Sequence, residues 1–301
     1  MSASISVIIP ALNASGTLEG IVKAINGQLC AVREIIVIDS ASDDNTAALA
    51  GALGCKVIQI AREEFNHGTT RNAAARAALG DVIIFMTQDA LPADNRLTQE
   101  LLVPLSDPRT AASYARQTAA GKASPVERFS REFNYPDVPV LKSLDALTAL
   151  GIKTFFFSNV CSAVKRDIFI ETGGFKSVIM NEDMVFASQL ILSGYKVAYC
   201  PGAAVIHSHN YSFTKQFSRN FDIGVSLKEA CLLKYASPGG EGLRYLKEGA
   251  GDFLRERKYS WLIYFILDSC FRYAGYSIGV RYNLLPKPLR RWMSSHPFYF
   301  R

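Results

Sequence analysis

The chain is 301 residues long, 49% hydrophobic and 20% charged, which fits one or two globular domains and excludes a disordered or fibrous protein. Its formal net charge of +6 is unevenly placed: residues 1–240 hold 22 basic and 22 acidic side chains, and residues 241–301 hold 11 and 5. Six scattered cysteines without CxxC spacing argue against a zinc site or a disulfide framework and fit a reducing compartment. No basic leader with a signal-type apolar run opens the sequence, so a cytoplasmic location is expected.

In chain order, residues 4–10 read as an apolar strand, 12–16 as a turn and 17–26 as a helix. A second strand over 34–39 ends in Asp39, followed by a turn rich in cap residues and a helix over 46–53. A third strand covers 55–60. A helix over 69–79 and a strand over 82–86 come next. Continuous Ile/Val runs point to strands covered on both faces, and their alternation with helices predicts a doubly wound α/β domain with a parallel sheet. Ligands bind such sheets at the carboxyl ends of the strands. Asn13, Asp39 and Asp89 are all expected at such ends. Asp89 alone also fits a strand-terminating turn. The chain has neither GxGxxG after its first strand nor GxxxxGK[ST], which disfavours a dinucleotide dehydrogenase and a P-loop enzyme.

Residues 110–115 read as a strand, and 116–150 as a polar insertion with helical tendency near 126–133 and 140–150. Residues 154–164 look strand-like, 165–172 helical, and 173–175 turn the chain. A helix opening at Glu182-Asp183 is expected to run to about 193. Strands over 197–200 and 204–207 precede His207-Ser208-His209. The last fifth holds an apolar run over 261–267 that Asp268 and Arg272 interrupt, too short for a span of about 20 residues. Four residues apart, these two can pair on one helix face. Aromatics interleaved with Lys and Arg suggest a helix at a membrane surface, or a hairpin packed on the body or on a second subunit. Nothing resembles a nucleic-acid-binding signature.

Several pieces in order carry a resemblance: "SVIIPALNASGTLEGIVKAI", "EIIVIDSASDDNT", "RNAAARAALGDVIIFMTQDALP", "NVCSAVKRDIFIETGGF" and "NEDMVFASQLILSGYKVAYCPGAAVIHSH". Together they resemble family 2 glycosyltransferases with the GT-A fold, over about residues 4–209. Within that family "FNHGTTRN", "TQDALP", "HSHNYS" and the tail "YNLLPKPLRRWMSSHPFYF" are similar to bacterial rhamnosyltransferases that build O-antigen and related surface polysaccharides from dTDP-L-rhamnose.

The resemblance implies a mixed sheet with a C-terminal helical extension: a catalytic domain over 1–210, split into a nucleotide-sugar half (1–115) and an acceptor half (116–210), then a helical region over 211–301. It implies that Asp39, with Pro10 and Asn13, lines the nucleotide pocket; Asp39 equally fits capping of the turn after it. Asp89 is the expected ligand of Mg2+ or Mn2+, whose hard character suits carboxylate and diphosphate oxygens. The usual Asp-any-Asp pattern is incomplete, because Thr87 stands first; fewer protein ligands, or donor contacts from Thr87 and Gln88, are implied. His207 and His209, two apart on an extended segment, point the same way, and one can add an imidazole ligand, with His207 favoured; structural hydrogen bonding explains them equally. Arg71 and Asn72 at a helix start suit the donor diphosphate, or else a surface Arg beside a capping Thr. Asp183 is the expected general base, with Glu182 set against the acceptor, although two acids near a helix start also suit the macrodipole.

The function these expectations describe is an inverting, metal-dependent transfer of rhamnose to a lipid-linked glycan met at the inner membrane's cytoplasmic face. A UDP-hexose or UDP-N-acetylhexosamine donor, or a silent nucleotide-sugar-binding subunit, are the alternatives. The sequence leaves homo-oligomerisation open.

Overall fold

The computed structural model describes residues 3–300. The first half alternates as expected: β1 (Ile5–Ala11), α1 (Leu18–Asn26), β2 (Glu34–Asp39), α2 (Thr46–Ala52), β3 (Lys56–Gln59), α3 (His67–Ala77) and β4 (Val82–Met86). Then come β5 (Leu91–Pro92), α4 (Leu97–Leu102), β6 (Thr110–Thr118), α5 (Pro125–Asn134), β7 (Val140–Lys142), α6 (Leu147–Leu150), β8 (Cys161–Lys165), α7 (Arg166–Glu171), α8 (Glu182–Leu192) and β9 (Lys196–Ile206). The chain closes with α9 (Phe213–Glu229), α10 (Gly239–Arg255), α11 (Tyr259–Gly279) and α12 (Lys287–Met293).

One mixed sheet runs in the order β3-β2-β1-β4-β8-β6-β9-β5, with β7 paired to β9. The first four strands are parallel; β8 is antiparallel to both β4 and β6, and β6 runs parallel to β9. Alternate residues of β1 and β2 face opposite ways, as pleating requires. Ile8, Ile36 and Ile38 join Phe85, Phe169, Phe175 and Phe186 on one face; Val7, Ile9, Ile35 and Val37 meet Leu18, Ile21, Val22 and Ile25 of α1 on the other. The spacing of those α1 residues is that of one helix face. Covered on both sides, the strands carry no polar alternation.

Three expectations change. Residues 154–160 are not strand: a 3-10 turn covers Gly151–Phe155 and β8 begins at Cys161. The predicted helix over 140–150 opens as strand β7, paired with β9. The two strands expected over 197–207 are one, β9, with an irregular pairing against β6 between Ala115 and Arg116.

The C-terminal helices pack on this body. Leu227 of α9 and Leu232 join the core cluster under the sheet. Glycines let α9 and α11 cross closely: a Cβ on Gly275 would lie 2.2 Å from the Phe217 carbonyl oxygen. Phe253 and Phe265 enclose Phe129 of α5. Asp268 and Arg272 do pair, at 2.6 Å, with Asp268 buried beneath α11. The opposite side of α11 shows Tyr259, Ile263, Ile266, Leu267 and Tyr273 to solvent, at one-face spacing. Among the described residues no helix is long and apolar enough to cross a membrane.

Candidate functional site

Asp89 lies in the turn between β4 and β5, closed by Ala90 N–H on the Thr87 carbonyl at 3.2 Å. β5 pairs antiparallel with β9 so that Leu91 faces Ile206. That register carries Asp89 to the residues that follow β9. His209 Nε2 is 3.1 Å from Asp89 Oδ2, His207 Nε2 is 3.5 Å from Oδ1, and the two Nε2 atoms are 3.1 Å apart. Among the described residues this is the one His/Cys/Asp/Glu group with metal-like spacing, its ligand atoms all within 4.8 Å of one another.

A network behind the cluster fixes His207. Arg131 donates to Gln117 Oε1, and an Arg has no acceptor to offer, so that atom is the amide oxygen. His207 Nδ1 lies 3.0 Å from the same oxygen. We therefore assign the proton to Nδ1, leaving the Nε2 lone pair facing Asp89. Gln117 Nε2 is held in turn by Ser158 Oγ at 2.9 Å. Glu127 Oε1 accepts from Arg131 at 2.7 Å and from the His209 backbone N–H at 3.2 Å. Burial pushes the His207 imidazole below its ordinary value, against the pull of Asp89. A carboxylate and a bare ring nitrogen thus converge with too few protons between them, and a divalent cation satisfies that donor set. The Thr87 hydroxyl is buried beside the Asp89 carboxylate.

The acid pair opens α8. Glu182 is buried and bound to Arg71 at 3.1 Å and to Asn159 Nδ2 at 3.3 Å. Asp183 is half-buried; its Oδ2 accepts from Asn159 N–H at 3.1 Å and its Oδ1 from Met184 N–H at 2.7 Å. Burial and the Glu182 charge raise the Asp183 carboxyl to about 7, against those two backbone hydrogen bonds.

Asp39 ends β2, buried, accepting from the Ser42 hydroxyl and from its backbone N–H at 3.2 Å. The turn cap is therefore present. Asn13 has a left-handed backbone, φ 52°. Its N–H donates to Ser42 Oγ at 2.9 Å and its side chain accepts from Asp43 N–H at 2.8 Å, so the loops after β1 and β2 are joined beside Pro10, the last residue but one of β1.

Three expected donor contacts are otherwise engaged. Arg71 does not open α3, which starts a turn earlier at His67 under an Asn66 cap; it is buried between Glu182 and the His67 carbonyl. Asn72 holds Phe175 through both backbone groups, at 2.8 and 2.9 Å. Gln88 likewise grips the Leu12 main chain, at 2.6 and 2.9 Å, bracing the loop after β1. The sequence patterns had no way to find Gln117, Glu127, Arg131 or Asn159, because each acts across the fold.

The sequence model described as "Glycosyl transferase family 2" matches residues 6–173. The chain is 39% identical to the O-antigen chain rhamnosyltransferase RfbN of Salmonella typhimurium, over 98% of this chain and 96% of that one. It is 37% identical to the O-antigen chain rhamnosyltransferase WbaN of Salmonella anatum, over 89% and 86%. Among solved structures, a mannosyltransferase from Pyrobaculum calidifontis in complex with GDP-mannose and Mn2+ superposes with a TM-score of 0.65 at 15% identity, covering 93% of this chain and 88% of that one. A glucosyl-3-phosphoglycerate synthase from Mycobacterium tuberculosis, in complex with Mn2+, UDP and its product, gives 0.53 at 19% identity, over 76% and 80%. These likenesses are those of a GT-A fold.

Proposed function

Since this chain belongs to glycosyl transferase family 2, we propose that it transfers L-rhamnose from dTDP-L-rhamnose to a hydroxyl of a glycan acceptor in O-antigen synthesis. The observation that carries this reading is the likeness to two O-antigen rhamnosyltransferases along nearly the whole chain.

In this reading residues 1–210 form the catalytic domain and 211–301 its helical C-terminal region. Asp39, Pro10 and Asn13 line the pocket for the nucleotide base and ribose. Asp89 and His207, with His209 beside them, hold Mg2+ or Mn2+, which when bound offsets the charge that develops on the leaving diphosphate. Asp183 accepts the proton of the acceptor hydroxyl. Its raised pKa suits a base that works near neutral pH. The acceptor oxygen bonds to the anomeric carbon as the bond to the diphosphate breaks, and the electron pair leaves on dTDP. One displacement inverts the centre, so a β-linked donor gives an α-L-rhamnoside. Glu182, tied to Arg71, keeps the turn that carries Asp183 in place.

We further read the acceptor as lipid-linked. The exposed stripe on α11, the exposed Trp292 and the basic excess of residues 241–301 suit an anionic membrane surface.

Nucleotide release from a panel of dTDP- and UDP-sugars, with Mg2+ or Mn2+ and with EDTA, tests the donor. Metal-dependent release from dTDP-rhamnose is expected. Release from a UDP-sugar alone would move the donor to the class bound by the mycobacterial synthase. Donor binding without any turnover, with every candidate acceptor supplied, would make the chain a silent binder.

A further inference from the structure

One group of titratable side chains has no part in the chemistry above. Asp222, on α9, is fully buried, and a carboxylate taken out of water is costly unless hydrogen bonds meet its lone pairs. Three do, all from one short stretch after α12. Ser294 Oγ donates to Oδ1 at 2.7 Å, Ser295 N–H to Oδ2 at 2.9 Å, and His296 Nδ1 to Oδ2 at 3.2 Å. With its Nδ1 proton directed at Asp222, the His296 ring keeps its Nε2 lone pair on the far side.

That ring meets His67 edge-on, centroids 5.7 Å apart at 80°. Phe65 holds His67 from another side, at 4.9 Å and 77°. The His67 carbonyl accepts from Arg71, the partner of Glu182, and the Glu182 charge acts on the His67 ring. Among the described residues none hydrogen-bonds to either ring nitrogen of His67 or to Nε2 of His296. Burial lowers His67 to about 4, which leaves it neutral at pH 7.

We propose that His67 and His296 form a subsite for the hydroxyls of the acceptor sugar, beside Glu182 and Asp183. The proposal deepens the transferase reading and rests on it. A neutral imidazole offers one donor and one acceptor, the pair that a sugar hydroxyl engages. An anionic ligand calls for free cations; of the two arginines whose charge reaches His67, Arg71 is bound to Glu182 and Arg219 lies over the Tyr211 ring. Asp222 holds the His296 ring at a fixed angle, so little rotamer freedom is lost when a sugar binds.

The chain has four histidines, so their ring signals can be assigned one by one from His→Gln variants of 15N-histidine-labelled protein. With dTDP and Mg2+ present, the protein is titrated with the methyl glycosides of galactose, glucose, mannose and rhamnose. The His67 and His296 signals are expected to move together with at least one of them. His296→Gln, shown to be folded by its melting curve, should weaken that glycoside about tenfold, the effect of one lost hydrogen bond. No movement of either ring with any glycoside overturns the subsite, as does equal movement of all four rings or an unchanged affinity in the folded variant. Donor hydrolysis by the parent chain tests the underlying reading separately. Ring shifts without any nucleotide release would sink the transferase and leave a sugar site.

Discussion

At Gln117 a single amide oxygen decides which nitrogen of His207 carries the proton. Gln117→Leu keeps the approximate volume and removes that acceptor. Its Mn2+ affinity, read by titration, should fall about 10–100-fold with the fold intact; equal affinity would mean that the tautomer does not matter. Asp183 gives a sharper test. Protonated below its pKa of about 7, it cannot take a proton. The kcat/KM of the parent should therefore rise with pH up to about 7 and then level, as a base that must ionise requires. Asp183→Asn should lower kcat about 10²–10⁴-fold and abolish that limb while donor binding persists. Asp89, Asp183 and the two histidines stand out as candidates in the sequence because each lies at the end of an apolar strand or the start of a helix. Gln117, Asn159 and Asp222 do not, because a lone amide or acid inside an ordinary segment gains its meaning from partners far along the chain. The position of Arg71 was misread for the same reason: it lies inside α3, and its carboxylate partner lies in α8.

Between elements, the α9–α11 crossing depends on missing side chains. A methyl at Gly275 would press on the Phe217 carbonyl, and a backbone cannot swing aside as a side-chain tip can. Gly275→Ala should cost about 1–3 kcal/mol in a urea titration, the scale of an overpacked contact. Gly251→Ala, in the interior of α10 with open space around it, should instead stabilise by about 0.5–1 kcal/mol through lost backbone freedom in the unfolded chain. If both changes destabilise alike, close packing is not what Gly275 serves. The parallel half of the sheet was readable from its Ile/Val runs and short joints. The stretch over 151–160 was not: its phenylalanines look like a strand, yet Phe155 and Phe157 are buried without a ladder, one beneath Tyr235 and the other against Tyr114. Tertiary burial overrode local preference there.

For the molecule as a whole, the proposed membrane contact rests on the exposed side of α11 and the basic excess of the last sixty or so residues. Ile263→Glu combined with Tyr273→Glu should abolish co-sedimentation with anionic vesicles, and raised salt should weaken binding of the parent. Parent protein that ignores vesicles but forms a dimer that the double variant breaks would assign the stripe to a second copy instead. Deleting the whole tail is a poorer test, since Leu227 and Leu232 belong to the main core.

The pairing of β5 with β9 has a consequence in time. β1 to β4 all form within the first 86 residues, whereas Asp89 meets His207 only when β9 has found β5 and β6. Contacts between distant segments are slow to form. In a refolding experiment without metal, the sheet's first half should recover its far-ultraviolet signal early, while the capacity to take up a pulse of Mn2+ should appear only in the last phase. The cluster that prepares the protein for chemistry would then also report when its chain has finished folding.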